Sequence, residues 1–256
     1  MLHKFYPYGG SYMKRFKTID YAETKYYAKK IYHDGYLEVR CFLDIYYFCR
    51  AHRIPVADFN IPVKIPDDVI DCSGMFQYCE SFNQKVIIPP SVKNCSGMFQ
   101  QCKAFDQLVN IPEGVVDTSN MFYGCDSFNS FVNIPDTVQN MSRMFTNCFS
   151  FNQPIHISSA NTTCYQIFRN CISLDQKIVI PNTVKDCSEM FANCVQLNQS
   201  IEIPFGVENC TFMFYGCEHL EHRMHISDTV QNVHGMIACC RRLDSSGYPL
   251  DAFAYI

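Results

Sequence analysis

The chain has no Trp, and only 18% of its 256 residues are charged. Net charge is −4, too small for bulk electrostatic attraction to nucleic acid. Long apolar runs are also missing. The most apolar stretch, 41–49, is broken by Asp44 and is too short to span a bilayer. The first residues contain no apolar segment of the signal-peptide kind and no Cys placed for lipid attachment. The expectation is therefore synthesis in the cytoplasm, without export by the usual route and without membrane insertion. No G-x-S-x-G, phosphate-binding loop or dinucleotide fingerprint occurs. Neither does the C-x2-C spacing of a structural zinc site.

Apolar residues make up 48% of the chain, which excludes a disordered polymer. Phe (21) and Cys (16) are abundant. So many Cys would suggest a disulfide scaffold in a small secreted chain, but this chain is neither small nor visibly secreted.

A repeat explains the abundance. Ile recurs at 65, 88, 111, 134, 157, 180, 203 and 226, always 23 residues apart. Eight windows fill 65–248 without insertion or deletion. A fixed period of about 20–29 residues with regular apolar positions argues for a leucine-rich-repeat type solenoid, in which each coil stacks on the last.

Aligned on one another, the windows show what each position tolerates. The first is always Ile; the eleventh is Met or Ile167; the twelfth is Phe or Ile237. The eighteenth is Phe in four windows and Leu in four, and the twenty-second is Val, Ile or Met224 until Gly247. These columns accept only large apolar groups and are assigned to the core. The fifteenth position is Cys in every window; the eighth is Cys in five, with Thr118, Met141 and Val233 in the others. Pairing each C-x6-C as a disulfide would strand Cys125, Cys148 and Cys240. Exchange with Val, Met and Thr instead describes buried free thiols packing as small hydrophobes.

Alternation of Val86 and Ile88 predicts a short strand on which the twenty-first and twenty-third positions face outward, with Pro89 ending it. A second extended piece is expected over the fifth to eighth positions, and a helical or 3-10 turn over Met-Phe-x-x-Cys. The nineteenth position is Asn, Asp or Glu throughout, suited to satisfying backbone groups at a coil bend. The architecture expected is a β-rich solenoid with short helical or 3-10 turns and a helical N-terminal cap.

The run Val138-Gln139-Asn140-Met141-Ser142-Arg143-Met144-Phe145, then Cys148 and Phe151-Asn152-Gln153, resembles the BspA-like leucine-rich repeats, which also occur in mycoplasma-type surface lipoproteins. The resemblance covers 65–248, with a partial coil in 59–64. It implies a solenoid used for binding, often at cell surfaces, and brings no catalytic residue.

Outside the repeats, 1–64 is expected to form the cap and partial coil, and 249–256 a tail covering the other end. Asp20 and Glu23 mark a helix start, predicting helices over 21–33 and 36–53. Residues 1–64 carry a charge of +5 and 65–256 one of −9, which would steer an acidic partner or a head-to-tail contact.

Candidate binding residues lie on the outward strand positions, the most variable columns: Lys85, Ile87, Leu108, Asn110, Phe131, Asn133, Pro154, His156, Lys177, Val179, Ser200, Glu202, Arg223 and His225. Leu108 and Phe131 are expected to meet in an exposed apolar patch. His219, His222 and His225 form H-x2-H-x2-H, but no Glu-rich helix accompanies them, so neither metal nor cofactor is expected. The function expected is a non-enzymatic module binding protein partners, including other subunits of a larger assembly. Its first form is a structural component of a virus or phage particle; the alternative is a cell-surface adhesin.

Overall fold

The computed structural model describes residues 21–244 and 246–253. It begins with α1 (Tyr21–Ile31), β1 (Tyr32–His33), β2 (Tyr36–Glu38) and α2 (Phe42–His52). The expected cap residue Asp20 lies outside the described residues.

Both helices are shorter than periodicity suggested. The first stops at Ile31, and Asp34 and Gly35 (φ +88°) form the turn of a β1–β2 hairpin. Leu37, inside the span expected for the second helix, sits instead in β2 and is fully buried. Long-range pairing overrides the local helical spacing there: β2 runs parallel to β3 (Val63–Lys64). The Leu37 N–H donates to Pro62 O at 2.8 Å, and that of Val39 to Lys64 O at 2.9 Å. Helix α2 then starts where the Asp44 carboxylate accepts the N–H groups of Arg40 (2.6 Å) and Cys41 (3.2 Å). The other Asp44 oxygen accepts the Tyr27 hydroxyl at 2.6 Å, fastening α1 to α2.

From Phe59 onward the chain is a solenoid whose core is a stack of Phe rings. At the twelfth position, rings from Phe76 to Phe214 lie nearly parallel. Successive centroids are 5.4 Å apart at Phe76 and Phe99 and 5.7 Å apart at Phe168 and Phe191. A second stack, Phe59, Phe82, Phe105, Phe128 and Phe151, runs beside it; Phe99 and Phe105 are 4.2 Å apart. Offset stacking adds about 0.5–1.5 kcal/mol per pair beyond area burial. The Ile, Met, Cys and Val columns fill the remaining core.

Regular strand is scarce. Between coils it is confined, among the described residues, to β4 (Val109–Asn110) and β5 (Val132–Asn133), which are parallel, and to single bridges at the seventh position. Most cross-coil bonding comes from turns. N–H groups of the tenth, twelfth and fourteenth positions donate to the next coil, as Gly74 to Ser96, Phe76 to Met98 and Tyr78 to Gln100. The eleventh, thirteenth and fifteenth close turns within their own coil, as Met75 to Cys72. The Met-Phe-x-x-Cys segment is thus a run of 3-10-like turns, prevented from becoming a helix by left-handed residues at its tenth and fourteenth positions, such as Arg143 (φ +59°) and Asn147 (φ +63°).

Repeat five departs from the others. Asn161 replaces Val in the fifth column and is fully buried. Its Oδ1 accepts the Met141 N–H at 3.3 Å, and its Nδ2 donates to Thr163 O at 2.6 Å. The bridge series through Asp71, Asn94, Asp117 and Asn140 stops there and resumes at Thr163.

At the far end, Gly235 and Ile237 donate to Asp251 O and Ala252 O, and Ala252 is buried. The 3-10 turn Leu250–Phe253 thus supplies acceptors that a further coil would otherwise provide.

Candidate functional site

Lys85, Ile87, Leu108, Asn110, Phe131, Asn133, Pro154, His156, Lys177, Val179, Ser200, Glu202, Arg223 and His225 are all exposed, and among the described residues regular strand at these positions is confined to β4 and β5. Pairing of Val109 with Val132 and Asn110 with Asn133 sets Leu108 beside Phe131 and the two Asn side by side. Leu108 is 52% and Phe131 48% exposed. With Pro154 on the next coil, the twenty-first column presents three apolar side chains in succession.

Two candidates are partly committed elsewhere. The Arg223 guanidinium bonds Ser246 O and lies 5.6 Å from the Tyr248 ring centroid, so it clasps the tail. His156 Nε2 meets Asp136 Oδ1 at 2.7 Å across one coil. Among the described residues no group of His, Cys, Asp and Glu is arranged to hold a metal ion. In the H-x2-H-x2-H run, His219 Nδ1 pairs with Gln196 Oε1 at 3.0 Å.

No thiol is joined in a disulfide, and only Cys41 and Cys239 are exposed. Burial pushes the Cys49, Cys72 and Cys240 thiols up to about 12. Most of the other core thiols also rise, Cys102 and Cys125 among them. A nucleophilic Cys needs the opposite environment.

A second exposed feature escaped the strand-based reading. The sixteenth column is charged in coils one to three (Glu80, Lys103, Asp126), apolar in coils four to six (Phe149, Ile172, Val195) and charged again at Glu218 and Arg241. The apolar part lies in a groove of about 440 Å³. The change of character is visible in the aligned windows; exposure of the column is not, because it depends on the direction of the turns.

The chain belongs to the family described as "Mycoplasma protein of unknown function, DUF285", whose model matches residues 55–133, 93–203 and 158–251. No curated protein matches it. Among solved structures it is similar to a leucine-rich repeat protein from Bacteroides ovatus, with 24% identity, 71% of this chain covered and a TM-score of 0.55. This chain spans only 53% of the length of that protein. It is also similar to the T. pallidum leucine-rich repeat protein (24% identity, 72% of this chain and 78% of that one, TM-score 0.49). A leucine-rich cell surface protein from Faecalibacterium prausnitzii matches at 21% identity, over 71% of each chain, with a TM-score of 0.32. The likeness to the Bacteroides ovatus protein shows the fold, a leucine-rich-repeat solenoid. No helix among the described residues is long and apolar enough to cross a membrane.

Proposed function

We propose that the chain is a non-catalytic protein-binding rod of the bacterial surface-protein type, with the strand face as its contact surface. The observation that carries this reading is the apolar row Leu108, Phe131 and Pro154, exposed on a regular face where most neighbouring positions are polar. Large apolar side chains grouped in this way are typical of contact surfaces. Membership in a mycoplasma repeat family and the likeness to BspA-like repeats support the surface form. A virus-particle component draws no support from either.

The test is a photo-crosslinking residue placed at position 131, with the chain applied to intact host-type cells and matrix proteins. Crosslinked adducts should disappear in the Leu108→Asp variant while its melting temperature stays within a few degrees. Equal adduct yields in the two proteins would remove the strand face from the reading. Protease shaving of intact producing cells tests surface placement: a protected chain would contradict it.

A further inference from the structure

We infer that the groove over coils four to eight is a second docking surface, distinct from the strand face, and that it receives an amphipathic α-helix lying along the rod. Three observations lead there.

The first is the floor. Phe149 is 41% and Ile172 42% exposed, with Val195 half-buried beside them. Backbone bonds from Ser173 to Phe149 O, Gln196 to Ile172 O and His219 to Val195 O hold the three in one line, one per coil. The second is the spacing of that line. Core rings of these coils repeat at 5.7 Å, 5.7 Å and 5.5 Å. An α-helix rises about 5.4 Å per turn. A helix parallel to the rod therefore meets one coil per turn and keeps its register over several. An extended strand repeats its side chains on one face only every 6.5–7 Å or so and loses register after two or three coils. Along one wall, Asn170 Nδ2 donates to Asn147 Oδ1 (2.6 Å) and Asn193 Nδ2 to Asn170 Oδ1 (2.8 Å). Each amide keeps a second hydrogen for polar groups flanking the apolar stripe.

The third observation is charge, which sets direction. At the coil-three end stands Asp126, next in the column to Phe149. Among the described residues no cation touches its carboxylate directly: Lys103 Nζ is held by Glu80 at 2.9 Å and attracts Asp126 only from farther off. At the coil-eight end stands Arg241, strongly exposed and only loosely paired with Glu218 at 3.6 Å. A helix carries partial positive charge at its N-terminus and negative at its C-terminus. The complementary orientation puts the helix N-terminus over Asp126 and its C-terminus over Arg241. Five coil steps span about 28 Å, or about 19 residues of helix.

The probe is a fluorescent Ala/Gln peptide of that length with one Leu per turn, titrated by anisotropy against the full chain. Saturable binding is expected, weakened at least tenfold by Ile172→Glu and, as a second variant, by Val195→Asn. Leu108→Asp with Phe131→Asp should leave peptide binding unchanged, which separates this surface from the strand face. Orientation is read at Cys239, an exposed thiol lining the groove, in a Cys41→Ser background. A peptide carrying a C-terminal Cys as its mixed disulfide with thiopyridine should exchange onto Cys239 and release thiopyridone. The N-terminal version should not. The inference falls if binding is absent, or if a peptide interrupted by Pro binds equally well. It also falls if the N-terminal peptide exchanges as fast, or if Ile172→Glu converts a self-associated chain to monomer, which would make a second copy the occupant.

Discussion

The thiol of Cys148 donates to the carbonyl oxygen of Phe122, one coil back, at 3.0 Å. The same bond recurs from Cys102 to Phe76, Cys125 to Phe99, Cys171 to Phe145, Cys194 to Phe168, Cys217 to Phe191 and Cys240 to Phe214. Each Phe oxygen already accepts the N–H of its own coil's fifteenth residue, as Phe122 O does from Cys125. The fifteenth column therefore needs a small side chain with a donor, whereas the eighth also accepts Met141 and Val233, which have none. Cys148→Val should cost about 2 kcal/mol, from the lost donor and from branching in a close-packed site. Cys95→Val, in the column that already holds Val233, should cost under about 1 kcal/mol. Urea unfolding of the two variants measures the difference; equal losses would contradict a donor role.

Buried thiols also make stability depend on alkaline pH. Cys49, Cys72 and Cys240 are raised to about 12 by burial, against about 8.5 in an unfolded chain. The folded state then holds its protons more tightly than the unfolded state, and unfolding is favoured as pH rises. The contribution is complete below about pH 8 and is lost between about pH 8.5 and 12. Tyr27, raised by burial and by its bond to Asp44, acts in the same direction. Unfolding free energy measured in urea from pH 7 to 11 should stay level and then fall, and Cys72→Val should make the fall shallower.

Asn161→Val restores the residue found at that position in every other repeat, and it should nonetheless destabilise. Asn161 Oδ1 is the acceptor for the buried Met141 N–H. Without it that donor is left unpaired, at a cost of about 1–3 kcal/mol. A rise in melting temperature would mean that coils four and five close the missing bridge once the amide is gone.

The nineteenth column separates hydrogen bonding from charge. Asn129 Oδ1 accepts the Asn152 N–H at 2.8 Å and Gln153 Nε2 at 3.2 Å. Asn60 Oδ1 does the same for Asn83 (3.0 Å) and Gln84 (2.9 Å). Asn129→Ala should cost about 1 kcal/mol. Asn60→Asp should be neutral within about 0.5 kcal/mol, because Asp106 and Asp175 already serve as acceptors in the column. Asn129→Asp stacks a second carboxylate directly on Asp106, so it should destabilise at neutral pH and recover near pH 4. Thermal melts at the two pH values check all three.

The solenoid was legible because eight in-register copies act as their own alignment: Ile65, Phe76, Cys79 and Phe82 recur at fixed spacing, and burial follows from what each column refuses. The Asn column was legible for the same reason. The cap was less so. Leu37 fits a helical stripe with Cys41 and Ile45, and nothing local reveals that Val63, far along the chain, claims it for a sheet. The left-handed turns were also hidden, since Arg143, Gln166, Glu189 and Phe212 are not residues that ordinarily signal positive φ. Their backbone is imposed by bonds to the next coil. The sixteenth-column groove was missed as a consequence, because its exposure follows from those turns.

Bonds between coils join residues at a nearly constant chain separation, 26 for each thiol bond and 23 for the Asn column. Every step of assembly therefore closes a loop of the same length and meets about the same entropic cost. Once two adjacent coils have nucleated, growth proceeds by repeating one event in either direction. The rate is then set by the nucleus and by any step that returns less than the others. Coil five, where a side-chain amide stands in for the missing bridge, is that step. Two folding fronts would stall there, and slow refolding in a chain carrying Asn161→Ala would mark where they meet.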